Sequence, residues 1–162
     1  CTFVQCFLFG VFFHFHDALP KGEQYVKTEI PGSISTKNMY TTVDKKEELE
    51  ALGGYLTQNH LTEKKVLLYG EIPAISYIFD MEPAVYTTWA DLRSNTLERL
   101  QADLDAITTD YPVVIVTDAI GQELSGNTSY VDEKLDAIAQ FLSRGNYQCG
   151  YAQKGYYVYT SQ

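Results

Sequence analysis

The sequence predicts an α/β domain with a three-layer, Rossmann-like mixed sheet, parallel at its centre and closed by a C-terminal antiparallel hairpin. Three observations carry the expectation. Two short apolar runs, Val66 to Tyr69 and Pro112 to Thr117, lack any charge and read as strands buried on both faces. Amphipathic helical stripes alternate with these runs. At the end, Tyr147 to Ala152 and Tyr156 to Thr160 flank Gln153-Lys154-Gly155, a hairpin signature.

Taken in order, the chain begins with a compositional outlier. Six of the eight Phe residues lie at positions 3, 7, 9, 12, 13 and 15, and the first charge is Asp17. As a helix, residues 1–16 would reach about 24 Å, against a hydrocarbon core of about 30 Å. Two readings stand: the outer end of a transmembrane helix, or a long strand buried on both faces. A signal peptide would want a positive start and a small-residue cleavage site. The chain opens on Cys1 rather than Met, which reads as a fragment or a processed product.

Residues 17–24, with Pro20 and Gly22, read as a linker, and residues 25–162 as a single α/β domain. Tyr25 to Ile30 alternates as a strand does, Pro31-Gly32-Ser33 is a turn, and Asn38 to Val43 is a short edge strand. Asp44, with Glu47 three residues on, predicts a capped helix striped by Leu49, Leu52 and Leu56. Gly53-Gly54 weakens that helix by about 1 kcal/mol per glycine relative to alanine.

After the strand Val66 to Tyr69, Gly70 turns the chain and Pro73 opens a short helix, where its missing amide needs no partner. Asp80 to Pro83 is a loop, Ala84 to Thr88 a short strand, and Trp89 to Leu92 a second loop. Asn95 and Glu98 predict the start of a helix striped by Leu97, Leu100, Leu104 and Ile107, which Pro112 ends. Asp118 to Ser129, polar and glycine-containing, reads as a surface loop. Val131, Leu135, Ile138 and Leu142 stripe the last helix, with Gly145 as its stop.

Composition narrows function by exclusion. The chain of 162 residues carries a formal charge of -9, which argues against nucleic acid as a partner and against a polybasic membrane patch. The cysteines are Cys1, Cys6 and Cys149. They form no C-x-x-C pair, and a Cys6–Cys149 bridge stands beside the plainer expectation of buried thiols. No G-x-G-x-x-G or Walker pattern follows a strand, so no nucleotide cofactor is expected. No nucleophile elbow occurs.

The candidate site residues are Gly70, Glu71, Trp89, Asp91 and Asp118. Gly70-Glu71, Asp91 and Thr117-Asp118 fall near the carboxyl ends of the buried strands, where open α/β sheets bind ligands. The plainer reading is turn and cap chemistry by acidic residues. Trp89 is the sole Trp. It reads either as a face on which a sugar stacks, with Asp91 accepting hydroxyls, or as a core anchor beside the Pro73 helix. His14 and His16 lack a third partner, so no metal centre is expected. Asn127-Thr128-Ser129 fits a glycosylation sequon.

From Lys64 onward, the strand, the turn at Tyr69, Gly70 and Pro73, the short helix, and the following Pro83, Thr88 and Trp89 form a pattern. It resembles the C-terminal extracytoplasmic domain of bacterial polytopic glycosyltransferases of the GT-C type, the broad dolichyl-phosphate-mannose mannosyltransferase-like group. The resemblance implies a cell-membrane protein with this domain on the extracytoplasmic side, following the last membrane helix. The catalytic acidic residues of that family lie in membrane-proximal loops near the N-terminus, so no catalytic residue is carried over to this chain. The resemblance implies a domain that is non-catalytic alone and either assists acceptor or sugar binding or stabilises the membrane part. The implied partners are that membrane part of the same polypeptide and a polyprenyl-linked or glycan ligand. The alternatives are a free-standing α/β ligand-binding or enzymatic domain, and a structural or interaction module.

Overall fold

The computed structural model describes residues 26–28, 39–126, 130 and 132–162. The apolar segment 1–16, the linker 17–24, His14, His16, Cys6 and the sequon at 127–129 lie outside the described residues. In chain order the elements are β1 (Val26–Thr28), β2 (Met39–Thr41), α1 (Val43–Gln58), β3 (Val66–Tyr69), α2 (Ala74–Ile78), α3 (Leu97–Ala106), β4 (Val113–Thr117), α4 (Asp118–Gly126), α5 (Glu133–Arg144), β5 (Tyr147–Gln153) and β6 (Tyr156–Ser161).

The chain is α/β. A four-stranded open sheet runs in the order β3-β4-β6-β5. Its β3–β4 pair is parallel, and the β4–β6 and β6–β5 pairs are antiparallel. The parallel pair therefore lies at one edge of the sheet and not at its centre as expected, because the C-terminal hairpin pairs with β4. β1 and β2 pair with each other in a separate antiparallel ribbon.

Alternation along the buried strands sends side chains to opposite faces. Val66, Leu68, Val113 and Ile115 join Leu49, Leu52 and Leu56 of α1 and Ile75 and Ile78 of α2. Leu67, Tyr69, Val114 and Val116 join Leu100 and Leu104 of α3 and Leu135, Ile138 and Phe141 of α5. Each such side chain, fully buried, contributes about 1.5–3 kcal/mol before the entropy of ordering is subtracted.

The hairpin forms as expected. Lys154 (φ 49°) and Gly155 (φ 80°) make a two-residue connection with both residues left-handed, the geometry that matches strand twist. A register shift between Cys149 and Tyr151 leaves Gly150 as the extra residue of a bulge. A Cβ there would overlap the Tyr55 hydroxyl of α1.

Several elements differ from expectation. Thr42, not Asp44, caps α1: its hydroxyl accepts from the Lys45 amide at 3.3 Å, and Asp44 lies inside the first turn. Thr96, not Asn95, caps α3, accepting from the Arg99 amide at 3.3 Å. In both cases a threonine in extended backbone precedes the helix and its hydroxyl reaches the third amide.

Asp118 to Gly126 is helix α4 rather than loop. Ile120 and Leu124 pack against the α3–α5 side of the sheet, and the absence of a side chain at Gly121 lets the helix lie against the Tyr157 ring. Tertiary contact outweighs the low helix propensity of its glycines and serine. Ala84 to Thr88 forms no strand. Among the described residues only a single parallel bridge, between Val66 and Pro83, lies on the outer side of β3; the Tyr86 amide, the next that could extend the ladder, donates to Asp103 Oδ2 instead.

Candidate functional site

The site grows from the carboxyl end of β3. Gly70 leaves the strand at φ +107°, and a Cβ there would stand 2.5 Å from Thr117 Oγ1 and 3.3 Å from Ile120 Cγ1. Only glycine meets both demands, positive φ and close approach to the end of β4. Glu71 follows with φ 60°, so two successive left-handed residues turn the chain out of the sheet.

The crossover then descends through α2 and returns along the outer side of β3. The Val66 amide donates to Glu82 O at 2.8 Å, and the Ala84 amide donates to Val66 O at 2.9 Å. From there the chain climbs to the carboxyl end, where Asp91 Oδ2 accepts from the Glu71 amide at 2.8 Å. The fold thus brings Gly70, Glu71 and Asp91 together. Asp118 lies at the end of β4 on the same edge, but its polar groups are engaged within the chain. Its amide donates to Gly155 O at 2.9 Å, and its carboxylate accepts from Gln122 Nε2 at 2.6 Å.

Trp89 opens a tight turn beside this junction. The Leu92 amide donates to Trp89 O at 3.2 Å and the Asn95 amide to Leu92 O at 3.0 Å. Asn95 Nδ2 donates to Ala90 O at 2.8 Å, and Lys134 Nζ from α5 donates to Leu92 O at 2.8 Å. Ala90 is wholly buried, which seats the turn in the core. Trp89 itself is 36% exposed and belongs to neither apolar cluster, so the core-anchor expectation for it does not hold. Upstream, the Tyr86 amide donates to Asp103 Oδ2 at 2.9 Å, and the Arg99 guanidinium lies 3.5 Å from the Tyr86 ring centroid.

Beneath the turn, the buried Tyr69 hydroxyl donates to Asp132 Oδ2 at 2.8 Å, while Asp132 Oδ1 caps α5 by accepting from the Lys134 amide at 2.9 Å. Burial first, and then the Asp132 carboxylate, push the Tyr69 phenol well above its ordinary value, with Asp91 and Glu123 adding to the effect. The carboxyl edge is therefore acidic. Sequence reasoning missed Tyr69, Asp132, Lys134 and Asn95 as parts of the site. The one signal available was Asp132 as a cap, three residues before the stripe residue Leu135.

Other surfaces offer less chemistry. A groove of about 470 Å³ lies between α3 and α5, floored by Leu104, Ala137 and Phe141. Arg144 crosses it, donating to Asp105 at 2.6 Å and to Leu104 O at 2.7 Å. None of the candidate site residues lines it. Cys149 is a free thiol on β5, exposed rather than buried as expected, and the partial desolvation of its sulfur pushes its pKa up, away from the thiolate that reactivity needs. Among the described residues no group of three or more His, Cys, Asp or Glu is placed to hold a metal ion, and no helix is long and apolar enough to cross a membrane.

Comparison of the chain with protein-family models, with curated proteins and with solved structures finds no match.

Proposed function

We propose that the chain is the extracytoplasmic domain of a membrane glycosyltransferase-like protein, non-catalytic alone, which assists acceptor or sugar binding beside the membrane part of the same polypeptide. The resemblance at Tyr69, Gly70, Pro73, Pro83, Thr88 and Trp89 supports the parentage. In this reading the finer architecture is three-layered and Rossmann-like, with the parallel pair β3–β4 presenting its carboxyl edge to the ligand.

The observation that carries the role is the crossover between β3 and α3. Residues 70–96 hold one short helix, yet among the described residues they contain four of the five exposed large apolar side chains: Tyr77, Tyr86, Trp89 and Leu92, with Val43 the other. A long connection that displays exposed aromatic side chains is better explained by binding than by packing, and Trp89 is the one of them in the turn that carries Asp91. Trp89 offers a partly exposed aromatic face in the same turn as Asp91, and an aromatic face with a nearby carboxylate in the chain suits a sugar's apolar face and its hydroxyls.

The test uses membranes containing the parent protein and its polyprenyl-linked sugar donor. Trp89→Ala is expected to lower transfer to acceptor by about tenfold, the effect of losing roughly 1.4 kcal/mol of binding. Gly54→Ala on α1 is expected to leave transfer unchanged. Equal transfer by wild type and Trp89→Ala would count against an assisting role, and absence of donor-dependent transfer in those membranes would count against the parentage.

A free-standing ligand-binding domain using the same edge is the second reading. It is favoured by the Glu71–Asp91 junction, which the domain assembles from its own residues. Saturable ligand binding by this chain, combined with no donor-dependent transfer by the parent protein, would select it.

A further inference from the structure

We propose that the Trp89–Leu92 turn receives an uncharged sugar of the acceptor rather than the phosphate of the donor; this specificity rests on the assisting role proposed above. The turn is already held in place. Asp91 Oδ2 accepts from Glu71, Lys134 holds Leu92 O, and Asn95 closes the loop onto Ala90 O. A platform fixed before binding loses little entropy when a ligand arrives. Trp89 supplies a partly exposed aromatic face. Asp91 spends one acceptor position on Glu71, and an ionised carboxylate has about four, so the turn that carries the ring also carries acceptors for hydroxyl donors.

A phosphate finds the opposite. In open α/β sheets, phosphates sit on the amides at a helix N-terminus after a parallel strand. After β4, the first amide of α4 is taken by Gly155 O, and the Asp118 carboxylate stands there as well. After β3, α2 has only five residues, and Pro73 stands at its cap. The carboxylates of Asp91, Asp132 and Glu123 all act on the Tyr69 phenol just below the turn, and Glu71 adds another at the junction. Against them stand Lys134 and the neighbouring Arg93. A lipid surface fits poorly too: Asp91 lies between Trp89 and Leu92, so seating the turn among headgroups would desolvate a carboxylate.

Because Trp89 is the only Trp, fluorescence excited selectively at the indole, beyond the absorption of the tyrosines, reports on this turn. The chain would be titrated with methyl pyranosides of mannose, glucose, galactose, N-acetylglucosamine and arabinose, with mannose 1-phosphate, and with phosphatidylcholine vesicles. Saturable change is expected with at least one neutral glycoside, with a Kd on the order of 1–10 mM. Mannose 1-phosphate should bind at least about tenfold more weakly than that glycoside, and Asp91→Ala and Asp91→Asn should each weaken binding by about tenfold, as loss of a charged hydrogen-bond acceptor does. Unfolding of each variant is followed alongside.

Silence with every neutral glycoside would overturn the proposal, as would equal or tighter binding of mannose 1-phosphate, or undiminished binding by both folded Asp91 variants. A blue shift with vesicles alone would overturn it in favour of a lipid-facing turn, while leaving the assisting role of the domain to the membrane transfer assay.

Discussion

Gly70→Ala is the sharpest perturbation of the frame that supports the site. At φ +107°, a residue with a Cβ is strained by about 1–2 kcal/mol. The added Cβ would also stand 2.5 Å from Thr117 Oγ1, 3.1 Å from Thr117 Cγ2 and 3.3 Å from Ile120 Cγ1. Thr117 ends β4 and Ile120 is packed, so relief requires shifting the β4–α4 junction, at about 1–3 kcal/mol for overpacking. The sum, about 2–5 kcal/mol, is a large share of a domain's typical 5–15 kcal/mol. It corresponds to a fall in Tm of roughly 4–20 °C for a chain of this size. Urea and thermal unfolding of Gly70→Ala, Thr117→Ala and the double variant separate the two parts. Removing the Thr117 side chain should restore about 1–2 kcal/mol as a coupling energy, leaving the backbone strain. A Gly70→Ala protein as stable as wild type would refute the reasoning, and so would a double variant showing no coupling.

Three further outcomes follow from the same structure. A Cβ at Gly54 in α1 meets nothing within 4 Å, so Gly54→Ala should stabilise by about 0.5–1 kcal/mol, read as a rise in urea midpoint. The neutral Tyr69 phenol is favoured by folding, so its folded pKa is raised. Its contribution is complete below the unfolded pKa of about 10 and is lost as pH climbs from there toward the folded value. Thermal unfolding between about pH 9 and 11 should therefore show a shallower alkaline loss in Tyr69→Phe than in wild type, with a cost at neutral pH of about 1–2 kcal/mol for the lost hydroxyl. Asp91→Ala frees the Glu71 amide, and hydrogen exchange there should quicken by about tenfold while global stability falls by no more than about 1 kcal/mol.

Much of the frame was legible in the sequence because it rests on local signals. The charge-free runs at Val66 and Val113 became parallel strands, the Leu49, Leu52 and Leu56 stripe became the buried face of α1, and Lys154-Gly155 became the hairpin turn. What escaped depends on distant contacts. α4 is polar and glycine-bearing by composition, and its fit against Tyr157 is visible only in three dimensions. The segment after Pro83 has strand-like residues, but the Tyr86 amide goes to Asp103 of α3 rather than to β3, and the pairing stops at one bridge. In the site, Gly70 and Glu71 follow the end of β3, whereas no strand directly precedes Asp91, which reaches the Glu71 amide from a turn. Asp118 shares the edge, yet its groups are spent on Gly155 and Gln122. The Tyr69–Asp132 bond spans residues far apart in sequence, and no local pattern announces it.

The most direct test of the central claim, that the crossover edge is the binding surface, is chemical-shift mapping of the 15N-labelled chain with the tightest-binding neutral glycoside. The largest shifts are expected at the Trp89 indole and at the amides of Glu71, Asp91 and Leu92. Shifts centred instead on Leu104, Phe141 and Arg144, in the groove between α3 and α5, would contradict that claim.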